Sequence, residues 1–139
     1  MNTPRENALV GRFSTYDSAV EIGVGRRPDV AVALVERGVE VTVTDVADAD
    51  ELDLPPSIRF VCDDVVAASE RDDPGETYAA DLLYGLNLPP ELHRPTLEVA
   101  RAVDADFLFT TLGYDSPAVP AETASLPEGE TLYLARRRA

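Results

Sequence analysis

The chain has no lysine and no tryptophan, and only one cysteine and one histidine. A single cysteine, Cys62, excludes an internal disulfide and any metal cage built on cysteines, and it fits a reducing, cytoplasmic setting. Nothing in its neighbourhood would activate the thiol, so the run Phe60-Val61-Cys62 is expected to bury it as a structural side chain. No apolar run approaches the length of a membrane span and no signal-peptide pattern opens the chain, so no membrane partner is expected. The acids Asp48, Asp50, Glu51 and Asp53 lack the glycine and terminal glutamate of a calcium loop, and a solvated loop without metal is the expectation there.

Positive charge is also scarce. Twelve bases, all arginine, stand against 26 acids, a net of −14 over 139 residues. Self-repulsion on this scale destabilises a compact state unless counter-ions screen it. The composition resembles that of cytoplasmic proteins of extreme halophiles, in which an acidic surface reports on the solvent. The charge therefore carries no argument for or against a nucleic-acid substrate. The length fits one domain spanning residues 1–139.

What is present is concentrated in residues 18 to 45. Ala19 to Ile22 is a short apolar run that stops at Gly23. Gly23 and Gly25 permit a sharp turn and a close approach of a ligand to the backbone. Pro28 suits the first position of a helix, the run Val30 to Val35 is apolar throughout, and Gly38 ends it as a left-handed C′ residue. Val39, Val41 and Val43 alternate with Glu40, Thr42 and Thr44, a period-two strand signal closed by Asp45. Asp45 lies twenty residues after Gly25, the spacing at which a carboxylate meets ribose hydroxyls in a Rossmann-type unit. With Pro28 at the first helical position, the N-cap is Arg27. Arginine has no acceptor and cannot cap, so the first N–H groups are available to an anion.

The rest of the chain alternates. Residues 3 to 13 read as a helix with a capping box from Thr3 to Glu6. Ile58 to Cys62 reads as a third strand with Asp63 and Asp64 at its carboxyl end, and Asp64 is placed to cap a helix from Val65 to Glu70. Ala79 to Leu86 reads as the fourth strand and Asn87-Leu88-Pro89-Pro90 as the junction to a helix over Glu91 to Ala102, with His93 on the surface of its first turn. Asp106 to Thr111 is the fifth strand, Ser116 to Glu130 a long loop, Thr131 to Ala135 a final strand, and Arg136-Arg137-Arg138 a solvated tail. Such alternation predicts an α/β, doubly wound, mainly parallel sheet of order 3-2-1-4-5 with an added carboxyl-terminal edge strand. Ligands of such sheets bind beyond the carboxyl ends of the strands, where Tyr84 to Pro90 faces the glycine turn.

A dinucleotide fingerprint has a third glycine where this chain has Pro28. Glu21-Ile22-Gly23-Val24-Gly25 instead resembles motif I of the class I S-adenosylmethionine-dependent methyltransferases. In that family an acid precedes the glycine turn and another ends the second strand; Glu21 and Asp45 match. The resemblance implies S-adenosylmethionine as cofactor, with Glu21, Gly23, Gly25, Arg27 and Asp45 at its site and Asp63 or Asp64 on the adenine amino group. Arg27 departs from the family, where a further glycine is common, and is placed to pair with a carboxylate or phosphate. The segment after strand four resembles motif IV of amino-methylating enzymes. The implied catalytic set is Asn87, Pro89 and Tyr84, with Leu88 inserted and Glu91 in place of an aromatic residue. A small archaeal family of uncharacterised proteins (UPF number 0146) is also similar, in Val20 to Gly25, Pro28 and Pro89-Pro90-Glu91-Leu92. Three readings stand beside a minimal methyltransferase: a nucleotide-binding module without chemistry, a Rossmann core kept as a subunit of a homo-oligomer or larger complex, and an NAD-type dinucleotide binder.

Overall fold

The computed structural model of the chain describes residues 3–23, 28–47, 54–113 and 115–138. Its strands are β1 (Ser18–Ile22), β2 (Glu40–Asp45), β3 (Arg59–Cys62), β4 (Leu82–Gly85), β5 (Asp106–Phe109), β6 (Glu122–Ser125) and β7 (Thr131–Arg136), and its helices α1 (Pro4–Phe13), α2 (Asp29–Glu36), α3 (Val65–Glu70) and α4 (His93–Val103). One sheet holds all seven strands in the order β3-β2-β1-β4-β5-β7-β6. Strands β1 to β5 are parallel, while β7 runs antiparallel to β5 and β6 antiparallel to β7.

The central position of β1 follows from its composition. Ala19, Val20 and Ile22 are buried on alternating faces, as a strand covered by helices on both sides requires. On one face, Ala19, Val41, Val43, Leu82, Tyr84 and Leu108 pack under α1 and α2. On the other, Val20, Ile22, Leu83, Phe107 and Phe109 pack under α3 and α4. Helix α1 begins with the expected capping box, Thr3 Oγ1 accepting from Glu6 N at 3.1 Å and Thr3 N donating to Glu6 Oε1 at 3.2 Å. It crosses the sheet from end to end. Arg5 reaches Glu130 and Thr110 at the carboxyl end of β5, and the Tyr16 hydroxyl just beyond α1 donates to Asp106 Oδ2 at 2.5 Å at the amino end.

Several expectations are corrected. Helix α2 starts one residue late, so Pro28 is its N-cap and makes no side-chain cap; Arg27 and Gly25 lie outside the described residues, as do Asp48, Asp50, Glu51 and Asp53. The loop expected over 116–130 contains β6, so β7 lies inside the sheet and β6 forms the edge. Strand β6, Glu-Thr-Ala-Ser, has three exposed residues of four and no apolar alternation, which is why its sequence carries no strand signal. Cys62 is exposed at the end of edge strand β3, not buried. The arginine tail is pinned rather than solvated. Arg136 donates to the Ala105 carbonyl at 2.6 Å and pairs with Asp104 at 2.8 Å, and Arg138 N donates to Asp106 Oδ1 at 2.6 Å.

Candidate functional site

At the carboxyl ends of β1, β2 and β3 the strands stop and the chain turns away, leaving a cleft of about 180 Å³. Its walls are Ile22 and Gly23 after β1, Thr44, Asp45 and Val46 after β2, Asp63, Asp64 and Val65 after β3, and Leu92 from the far side. Gly23 takes φ of +71°, a conformation that side chains resist, and a Cβ there would meet nothing within 4 Å among the described residues. Glycine is thus demanded by the turn, and no described residue crowds the space beside it. Gly23 N donates to the Thr44 carbonyl at 2.9 Å and Thr44 Oγ1 to the Glu21 carbonyl at 3.1 Å, which fixes the first wall to the second. Among the described residues, no group of three or more His, Cys, Asp or Glu is arranged to hold a metal ion.

The acids of the site have separate environments. Asp45 is half-buried at the lip, and its Oδ1 accepts from Ala47 N at 3.1 Å. Asp64 is exposed and caps α3, its Oδ1 accepting from Val66 N at 2.9 Å. Asp63 Oδ2 accepts from Tyr78 Oη and from Arg71 Nη2, each at 2.8 Å. Partial burial raises the Asp63 pKa, but those two hydrogen bonds and the Arg71 charge outweigh it and leave the carboxyl below its ordinary value. Burial and the facing carboxylate push the Tyr78 phenol up, so it stays a donor.

Glu21 differs from all three. It points to the face opposite the cleft lining and is only 1% exposed. Tyr84 is its register partner on β4, fully buried, with its ring against Phe13 at 4.6 Å between centroids. The pair is in electrostatic contact, yet neither Glu21 Oε1 nor Tyr84 Oη finds a well-formed hydrogen bond among the described residues. Burial raises the Glu21 pKa, Tyr84 pulls it back and the Asp45 charge pushes it up again, to about 8 from an ordinary 4.5. Burial and Glu21 together drive the Tyr84 phenol well above its usual range.

The catalytic set Asn87, Pro89 and Tyr84 does not converge. Tyr84 is sealed in the interior, Asn87 and Pro89 are exposed, and none of them lines the described cleft. Tyr84 therefore has the packing role, because its side chain points under α1 and not toward the carboxyl ends. Asn87 is left-handed at φ of +52°, a conformation asparagine tolerates, and its N–H donates to Thr110 Oγ1 at 2.8 Å. Leu88 turns inward and is 1% exposed. His93 is buried, not on the surface. Its Nδ1 accepts from Ala118 N at 3.0 Å, so Nε2 carries the proton and donates to the Leu88 carbonyl at 2.8 Å. Sequence reasoning missed Leu92 in the cleft and Thr110 beneath the Asn87 turn. Leu92 was legible as a helix residue and as part of the Pro89–Leu92 segment but not as a cleft wall, and Thr110 gives no signal until β4 and β5 are neighbours.

Neither Phe107, Leu108 and Phe109 nor Leu132 and Leu134 of the last strand are exposed, so the apolar surface that would mark a subunit interface is not found there. No described helix is long and apolar enough to cross a membrane.

Several solved structures with this architecture are described as methyltransferases. The S-adenosylmethionine-dependent methyltransferase from Mesorhizobium loti is similar at a TM-score of 0.55 and 20% identity, over 96% of this chain and 64% of that one. The Burkholderia thailandensis 1,6-didemethyltoxoflavin-N1-methyltransferase, solved with S-adenosylhomocysteine, is similar at 0.51 and 20%, over 94% of this chain and 59% of that one. A Rhodobacter sphaeroides protein described as a putative Zn-dependent alcohol dehydrogenase also shares the fold, at 0.56 and 17% identity, over 82% of this chain and 48% of that one. The chain thus spans about three fifths of the two methyltransferases' length, and the likeness establishes the Rossmann-like fold. In sequence, a protein of Halobacterium salinarum is 41% identical over 89% of this chain and 91% of its own length. One of Archaeoglobus fulgidus is 39% identical over 85% and 83%. Both carry the same family designation, and the model of that family matches residues 7–138: the chain belongs to the uncharacterised protein family UPF0146.

Proposed function

We propose that the protein binds S-adenosylmethionine or S-adenosylhomocysteine in the cleft over β1, β2 and β3. The observation that carries this is the placement of Asp45 at the end of β2 beside the Gly23 turn, with Asp63 at the end of β3 completing the wall. Asp45 accepts from the ribose hydroxyls. Asp63 is kept ionised by the hydrogen bonds from Tyr78, Arg71 and the Asp64 N–H, and its carboxylate accepts from the adenine amino group. Val46, 71% exposed, offers an apolar surface for the purine. Gly25 and Arg27, outside the described residues, are proposed for the same ligand, with Arg27 pairing with its carboxylate or with a phosphate.

The binding reading carries further than the catalytic one, because Asn87 and Pro89 stand apart from the cleft and Tyr84 is sealed. If methyl transfer occurs, Asn87 is the acceptor-side group, held in place by Thr110. Calorimetric titration in molar salt with S-adenosylmethionine, S-adenosylhomocysteine and NAD tests the proposal. The two sulfur ligands give heat and NAD does not; heat from NAD alone reverses the assignment. Asp45→Ala weakens binding by about 1.5–3 kcal/mol, the size of a charge-assisted hydrogen bond.

A further inference from the structure

Beneath the Gly23 turn two polar side chains, Glu21 and Tyr84, are buried side by side, and an oxygen of each lacks a well-formed partner among the described residues. An unpaired buried polar atom destabilises a fold, so an adjacent pair in the central strands needs a reason beyond packing. Packing itself does not supply one. The apolar cluster that holds Tyr84 includes Leu9, Val10 and Phe13 of α1 and Val30, Ala31 and Leu34 of α2, with Phe13 against the Tyr84 ring, surroundings suited to apolar side chains.

Glu21 lies two residues before Gly23 in β1, and its field reaches the cleft: the charge of Asp45, a cleft residue, is felt at the Glu21 carboxyl. Tyr84 on β4 and Asp45 on β2 are the titratable groups near it among the described residues. Asp29 and Glu36 of α2 and Arg12 of α1 are exposed, Glu6 belongs to the capping box, and Arg5 is paired with Glu130.

Resting on the proposed binding of an S-adenosyl ligand, we infer that Glu21 is a proton-exchanging counter-charge beneath the cleft, through which the protein tells the cationic sulfonium ligand from its neutral thioether product. In the empty protein and with the thioether, the carboxyl keeps its proton. When the sulfonium arrives, Glu21 releases one proton to solvent, becomes a carboxylate, and the Tyr84 hydroxyl donates to it. Charge and protons balance: one positive charge enters the site and one proton leaves. The raised Glu21 pKa, about 8, agrees with a neutral resting state near pH 7. Because the pair is buried, molar salt screens it far less than surface carboxylates.

The test is titration of the full chain in molar salt from about pH 6 to 9 with S-adenosylmethionine and S-adenosylhomocysteine, in two buffers of different ionisation enthalpy. The preference for the sulfonium rises by up to about tenfold per pH unit and levels off above about pH 8. Proton release on sulfonium binding exceeds that on thioether binding and falls to the thioether level in Glu21→Gln, whose preference is flat with pH. Tyr84→Phe removes the group that holds Glu21 down, so its plateau moves to higher pH; this variant serves where Glu21→Gln does not fold. Binding of both ligands with a pH-independent ratio in the native chain overturns the inference and leaves the proposed function standing. Binding of neither removes both.

Discussion

Asp63 shows how one carboxyl can be legible as a site residue and illegible in its partners. Its place after the third strand followed from strand order, but Arg71 lies beyond a helix and Tyr78 in a 3₁₀ turn (Glu76–Tyr78), so neither contact appears as a pattern in the sequence. The folded pKa lies below the ordinary value of 3.8. A depressed carboxyl stabilises the fold above its unfolded pKa, and that contribution is lost as pH falls through the lower folded value. Tyr78→Phe leaves Arg71 in place but removes a buried donor to a charged acceptor. It is expected to cost about 1.5–3 kcal/mol at pH 7 in denaturant unfolding, with the gap to wild type closing below about pH 4. A gap that persists to pH 2 would assign the loss to packing of the ring. Cys62 and His93 went the other way. The residue types suggested a buried thiol and a surface imidazole, and the positions, an edge strand and a helix start wedged under Ala118, reversed both.

The connection from β4 to α4 is tied down by Thr110, the residue just after β5. Thr110 N donates to the Gly85 carbonyl at 3.0 Å, Thr110 Oγ1 accepts from Asn87 N at 2.8 Å, and the Thr110 carbonyl accepts from Leu88 N at 2.9 Å. These bonds set Asn87 in its left-handed conformation and turn Leu88 inward over Gly85. A Cβ on Gly85 would lie 2.9 Å from Leu88 Cδ1, so Gly85→Ala must displace Leu88. Because Leu88 is buried, the displacement is resisted, and overpacking of this kind costs about 1–3 kcal/mol. The expected outcome is a lower unfolding midpoint for Gly85→Ala, and a Gly85→Ala/Leu88→Ala protein destabilised by less than the sum of its two single variants; a Gly85→Ala protein as stable as wild type would show that Leu88 is loosely seated. Elements whose apolar residues repeat with the period of a strand or helix were legible in advance: α1, β1, α2, β2 and α3 all lie within a residue or so of expectation. The ones that were not are made by their neighbours. Strand β6 has almost nothing to bury and exists because β7 offers an edge, and the 3₁₀ turn Pro90–Leu92 inserts a break where proline alone suggested a continuous helix.

For the molecule as a whole the governing quantity is the net charge of −14, all of whose positive part is arginine. The described arginines at positions 5, 71, 136 and 138 are taken by ion pairs with neighbouring acids, so they neutralise local carboxylates without offsetting the excess. That excess repels itself over a range set by salt, about 3 Å at 1 M and about 30 Å at 0.01 M. At high salt each surface carboxylate feels only its immediate neighbours; at low salt it feels much of the surface, and the compact state is destabilised. The attractive ion pairs strengthen on dilution as well, but isolated surface pairs contribute about 0–1 kcal/mol each and cannot offset an excess of this size. The melting temperature is therefore expected to fall steadily as sodium chloride is reduced from about 1 M to about 0.01 M. Salt also strengthens apolar burial, and acid separates the two effects. Near pH 4 much of the surface charge is protonated, so a repulsive origin makes the salt dependence shrink there, whereas a burial origin leaves it unchanged. Thermal scans over both variables decide it, and a melting temperature indifferent to salt at pH 7 would mean that the acids are spaced too widely to destabilise the fold.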